Sequence, residues 1–133
     1  MREEGNDAAM ARMFASFASL FGFLGVLFGA FGAHALSARL TLESFMLFEI
    51  GNRYLMYHAL ALFAVAWAEA KWGSRWIQAS GWLFTFGILL FSGSLYCLAL
   101  TGVKVWGMAT LLGGLAFLIG WACLFKGLCC GKG

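Results

Sequence analysis

Charge is absent from four long stretches of this chain, and that pattern constrains its fold more than any other feature. The uncharged runs go from Met13 to about Ala35, from Tyr54 to Ala68, from Trp76 to Leu100 and from Val105 to Phe125. About 20 helical residues cross a 30 Å hydrocarbon layer, and three of the runs reach that length. The second is shorter, and Arg53 and Lys71 serve as its snorkelling ends. Backbone groups left unpaired in lipid are too costly to persist, and no alternating strand pattern occurs, so the runs read as helices. The spans fall at about 13–35, 54–70, 76–100 and 105–126.

Composition leaves few alternatives. Of 133 residues 62% are hydrophobic and 11% charged, against about 25% charged in soluble domains. Too little polar surface remains to cover a soluble core of this size. Lipid is therefore the expected solvent. The chain has no proline and 18 glycines, so no ring interrupts a helix while close helix–helix approach is available. The net charge of +3 forms no basic stripe, which excludes nucleic acid as a partner.

Orientation follows from the basic residues. Four spans place Arg2, Arg12, Lys71, Arg75, Lys126 and Lys132 on one side, and Arg39, Arg53 and Lys104 on the other. The positive-inside rule then puts both termini in the cytoplasm of an inner (plasma) membrane protein. Ala33-His34-Ala35 looks like a signal-peptidase site. The apolar run before it exceeds the roughly 7–15 residues of a signal core, and Glu3, Glu4 and Asp7 precede it, so it reads as a retained span.

Between the first two spans, Thr41 caps a predicted helix over about 41–52, with Leu42, Phe45, Met46 and Ile50 near helical spacing. Glu43, Glu49 and Arg53 fall off that stripe, which suggests a helix lying in the membrane interface. The remaining loops, near Gly73 and Gly102, are short enough to force antiparallel neighbours. The expected fold is all-α, a single domain over 1–133 built as a four-transmembrane-helix bundle with a short interfacial amphipathic helix.

Small residues mark the packing faces. Gly22, Gly25, Gly29 and Gly32 make one stripe on the first span, and Ala109, Gly113, Ala116 and Gly120 make another on the fourth. Such stripes serve packing within the bundle, a homo-oligomer, or the docking of another membrane protein.

Three segments taken together carry a resemblance. They are Gly29-Ala30-Phe31-Gly32-Ala33-His34, Tyr54 with His58-Ala59-Leu60-Ala61-Leu62, and Leu90 through Leu100. With Gly113-Gly114 and Gly120-Trp121-Ala122 they resemble the YgdD/YwdK-type family of small inner-membrane proteins, itself related to a eukaryotic transmembrane protein. The resemblance implies four helices and an unknown biochemical function. Two positions depart from the family pattern: Leu55 stands where glutamine is frequent, and Leu111 where proline is usual.

Candidate chemistry is sparse. His34 and His58, expected at similar depth toward the outer face, could ligate a haem or a metal; the plainer reading is interhelical hydrogen bonding. Glu49 and Arg53 have ion-pair spacing. With His34, Tyr54, Tyr57 and His58 they form a candidate polar cluster at the outer mouth, suited to a proton, to a small polar solute or to clamping the interfacial helix. Cys97 and Cys123 lie at different depths and should not pair, while Cys129-Cys130 without further ligands is a weak zinc signal. No nucleophile–base pair, acidic pair or phosphate loop appears, so no enzyme, metal or cofactor is expected. The leading functional expectation is a non-catalytic accessory or assembly component. The alternatives are a small channel or carrier for a proton or polar solute, and a haem or metal protein.

Overall fold

A computed structural model describes the backbone over residues 2–130 and side chains over residues 4–130. Lys132, counted above for orientation, and the Arg2 and Glu3 side chains lie outside the described residues. Four helical rods follow one another: α1 over Arg2–Phe31, α2 over Leu42–Trp72, α3 over Arg75–Thr101 and α4 over Trp106–Cys130. A π turn, Gly32–Leu36, extends α1, and a second, Ile88–Ser92, interrupts α3. Among the described residues there is no strand.

The ends are set by local chemistry. The Thr41 hydroxyl accepts from the Ser44 amide at 3.2 Å and caps α2 as expected. Ser74 does the same for α3 through the Trp76 amide at 3.3 Å. Gly102, with φ of 69°, ends α3 in the left-handed conformation that glycine adopts without a Cβ penalty.

α1 packs on α2, α2 on α3, and α3 on α4. Phe14 and Phe17 of α1 meet Trp82 of α3 edge-on, Phe28 meets Tyr96, and all four rods supply the main core, α4 through Phe117 and Leu124. Phe14, Leu62, Val65, Ile77 and Phe84 are fully buried there. α4 lies along α3 and reaches α2 through side chains, where Phe117 stacks on His58 and Trp121 bonds to it, without extended backbone contact to α1 or α2. All four rods thus share one core, with a groove left between α2 and α4.

Three rods are long and apolar enough to cross a membrane: Glu4–Leu36, Arg75–Thr101 and Trp106–Cys130. Glu49, Arg53, Glu69 and Lys71 dilute the apolarity of α2. The expected interfacial helix at 41–52 is not a separate element, because α2 runs unbroken through Arg53. Packing explains the continuity. A Cβ on Gly51 would lie 3.1 Å from Leu95 and 3.4 Å from the Ser92 carbonyl, and the Ser92 hydroxyl donates to the Gly51 carbonyl at 2.6 Å. The first turns of α2 thus lie along α3 and cannot splay away from it.

The predicted glycine stripes are consumed inside the fold. A Cβ on Gly25 would strike Met56, one on Gly29 would stand 3.0 Å from Asn52 and one on Gly32 would stand 2.7 Å from Phe48, all on α2. Gly113 abuts the Phe91 backbone, and a Cβ on Gly120 would stand 2.8 Å from Phe84, both on α3. Gly22 faces open space. At one end of the molecule the Lys71 ammonium sits over Trp67 and Trp72, and that of Lys126 sits 3.8 Å from the Trp76 ring centre. A belt of tryptophan and cations is what a membrane interface favours.

Candidate functional site

Two polar centres lie inside the rods, and five of the six residues expected to form one cluster divide between them, while His34 joins neither. The first is built on His58. Its ring stacks on Phe117 with centroids 3.6 Å apart and planes 7° apart, and meets Phe84 edge-on at 5.3 Å. The Trp121 indole N–H, 3.1 Å away, donates to Nε2. An indole nitrogen only donates, so Nε2 accepts and the proton resides on Nδ1, which donates to the Tyr54 carbonyl at 2.9 Å. Both ring nitrogens are thereby committed, and no lone pair remains for iron or another metal. Tyr54 stacks beside His58, and Tyr57 packs against Tyr54 while staying exposed.

The second centre lies between α1 and α2. Gly29, Gly32, Ala33, Phe45, Phe48, Glu49, Asn52 and Arg53 line a pocket of about 180 Å³. Asn52 is fixed from both sides: its amide donates to the Gly25 carbonyl at 3.0 Å, and its carbonyl accepts from the Tyr96 hydroxyl at 2.8 Å. Three helices are joined in this way by a network with no local sequence signal.

The expected match in depth between His34 and His58 is not found. His34 lies in the π turn that follows α1, next to Gly32, and Gly32 packs against Phe48. Phe48 and His58 are ten residues apart on one helix, about 15 Å along its axis. His34 is exposed and stands apart from both centres. The error came from treating α2 as starting near Arg53 when it begins three turns earlier.

Further residues emerge only in three dimensions. Ser94 and Thr110 share a hydrogen bond of 2.6 Å between α3 and α4. Glu69 is fully buried where α2 turns into α3, accepting from Gln78 at 2.6 Å and from the Ser74 amide at 3.4 Å. Among the described residues no buried side-chain nitrogen or oxygen lacks a partner, and no three metal-ligating side chains cluster. The four cysteines are free.

Between α2 and α4 runs a groove of about 730 Å³. His58 and Tyr54 form one wall, Phe91 and Phe117 the floor, and Gly107, Leu111, Gly114, Leu118 and Trp121 the other wall. Leu111, one departure from the family pattern, is exposed on that wall, whereas Leu55, the other, is buried in the core.

The sequence pattern of a family described as "Protein of unknown function (DUF423)" matches residues 28–114. This chain belongs to that family. It is 45% identical over 93 residues to UPF0382 membrane protein YwdK of Bacillus subtilis, covering 69% of this chain and 76% of the relative. It is 42% identical over 95 residues to UPF0382 membrane protein SERP0230 of Staphylococcus epidermidis, covering 71% and 77%. With UPF0382 inner membrane protein YgdD of Escherichia coli K12 it shares 40% identity over 98 residues, covering 74% and 75%. The expected YgdD/YwdK kinship therefore holds, and the chain is a membrane protein. No solved structure matches it.

Proposed function

We propose that the chain is a four-span inner-membrane protein with both termini in the cytoplasm, acting as a non-catalytic accessory or assembly component that packs against another membrane protein. One observation carries the reading: α4 has two packing stripes, and the fold covers the second only at Trp121, bonded to His58, and beside the Phe91 ring. Gly113, Phe117, Gly120, Leu124 and Gly127 are buried against the rest of the fold. Gly107, Leu111, Gly114, Leu118 and Trp121 repeat the same alternation of three and four residues along the open groove. A Cβ on Gly107 would meet nothing within 4 Å, and one on Gly114 would meet only the Phe91 ring, at 3.7 Å. Spacing of this kind with small residues suits a further helix, whose closest approach would occur at the glycines.

The accessory reading also agrees with how the polar residues are used. His58, Asn52, Tyr96, Ser92, Ser94 and Thr110 all bond within the fold. The haem reading needs two imidazoles at one depth and a free Nε2 on His58, and it lacks both. The channel reading needs His34, Glu49, Arg53, Tyr54, Tyr57 and His58 around one path, and they sit in separate places. Purification of the full chain in mild detergent followed by native mass spectrometry tests the proposal. A stoichiometric foreign membrane subunit, lost in Gly114→Leu while the fold is retained, is the expected result. A partner-free chain with unchanged behaviour in Gly114→Leu would refute it.

A further inference from the structure

The pocket between α1 and α2 displays two opposite charges that the fold itself does not neutralise. Glu49 and Arg53 are exposed and stand one turn apart on α2, at the rim of the cavity of about 180 Å³. Among the described residues neither lies within 4.0 Å of an opposite charge. Gly29, on the facing wall, is about 10 Å along the helix axis from Leu36, at the usual rise per residue. Leu36 closes the apolar stretch of the first rod, so the pocket lies near one end of it, where a lipid headgroup can reach.

The two ends of the pocket differ in chemistry. The Glu49 carboxylate, with the Phe45 and Phe48 rings beside it, suits an alkylammonium, which both a negative charge and an aromatic face attract. The Arg53 guanidinium presents the planar donor fork that suits phosphate oxygens. Residues four apart on a helix hold their Cβ atoms about 5–6 Å apart, a separation that a two-carbon link between ammonium and phosphate spans. Asn52 forms part of the lining, but its amide is already bonded to Gly25 and Tyr96 and so supplies shape. A cavity of about 150 Å³ accepts benzene, so this one accepts roughly eight non-hydrogen atoms, the size of a phosphoethanolamine group. On the same face of α2 beyond Arg53, Tyr57 and Leu60 are exposed and offer an apolar track for acyl chains.

We propose that this pocket binds the zwitterionic headgroup of an outer-leaflet phosphatidylethanolamine, with Glu49 holding the ammonium and Arg53 the phosphate. The site makes no use of the open stripe on α4, so it stands or falls independently of the accessory role.

The test uses the full chain in mild detergent, offered phosphatidylethanolamine and phosphatidylglycerol in equal amounts, with retained lipid counted by native mass spectrometry. One phosphatidylethanolamine per chain is expected, in preference to phosphatidylglycerol. Glu49→Gln should reduce that preference about tenfold, the loss of one charge-assisted hydrogen bond. Arg53→Gln should reduce retention of both lipids, and Arg39→Gln, outside the pocket, should change nothing. Glu49→Lys should reverse the preference toward the anionic lipid, a gain that simple destabilisation does not produce. Wild-type retention in both Glu49→Gln and Arg53→Gln, or equal retention of the two lipids by the wild type, would overturn the proposal. So would displacement of the lipid by an equal concentration of soluble O-phosphoethanolamine, which would assign the pocket to a free solute.

Discussion

Removing the carboxamide of Asn52 should weaken the fold through one definable pair, and a double-mutant cycle with Tyr96 isolates it. The Tyr96 hydroxyl donates to Asn52 at 2.8 Å, in a setting made by the Phe28 and Phe48 rings. Asn52→Ala loses this bond and the one to the Gly25 carbonyl at 3.0 Å, and it leaves the tyrosine hydroxyl without an acceptor. A stranded buried donor costs about 1–3 kcal/mol. Interhelical hydrogen bonds in membrane proteins couple by about 0.6 kcal/mol on average and ~1.7 at most. The aromatic surround keeps water from replacing the lost partner and favours the upper part of that range, while the half-buried position of Asn52 lets water reach one side and lowers it. The expected values are about 2–3 kcal/mol for Asn52→Ala, roughly 1–2 for Tyr96→Phe, and a coupling near ~1 kcal/mol. Asn52→Leu combined with Tyr96→Phe should recover part of the loss, because a matched apolar pair leaves no polar group stranded. Reversible unfolding in mixed micelles, monitored by tryptophan fluorescence, gives all four corners. A coupling within about 0.3 kcal/mol of zero would refute the network, since independent sites add to that tolerance.

Three other outcomes follow from the packing. Gly113→Ala forces a methyl onto the Phe91 backbone and should destabilise by about 1–3 kcal/mol, while Gly22→Ala meets nothing and should be neutral or stabilising by up to ~1 kcal/mol; equal effects would rule out the assigned faces. Trp121→Phe keeps a ring beside His58 but removes the indole donor, so it should cost about 0.6–1.7 kcal/mol, and imidazole ¹⁵N shifts of the wild type should show Nδ1 protonated. Wild-type shifts of the other tautomer would reject that assignment. Cys129 and Cys130 are exposed past the tryptophan belt, so a membrane-impermeant maleimide should label them in inverted but not in right-side-out vesicles. Labelling from outside would reverse the proposed orientation.

Much of the fold was legible because it rests on local chemistry. Uncharged runs locate α1, α3 and α4, Thr41 caps α2, and the spacing from Gly25 to Gly32 marks a face that another helix approaches. The continuity of α2 was not legible. Averaged hydropathy counts Glu49 and Arg53 as a boundary, whereas Gly51 fits against Ser92 and Leu95 and holds the helix through them. That contact belongs to the relative axial register of two helices, which no window of sequence contains. The same register moved His58 away from the outer mouth and set it opposite Trp121, a partner 63 residues along the chain.

The physical division among the polar residues of the rods is the guide to function. Of the residues read first as candidates, His58 is held by partners inside the fold, as are Asn52 and Tyr96, which no motif marked. A group whose hydrogen-bonding capacity is met by its own protein stabilises and positions, and it has nothing left to offer a ligand. Glu49 and Arg53 are the reverse case. They bear full charges, they line a cavity, and they lie beside the close contact of Gly29 and Gly32 with α2. Gly29 and Gly32 bring α1 close to Asn52 and Phe48, and the pocket opens beside that contact. The unmatched pair, rather than the histidines, is therefore where an external partner has the most to supply.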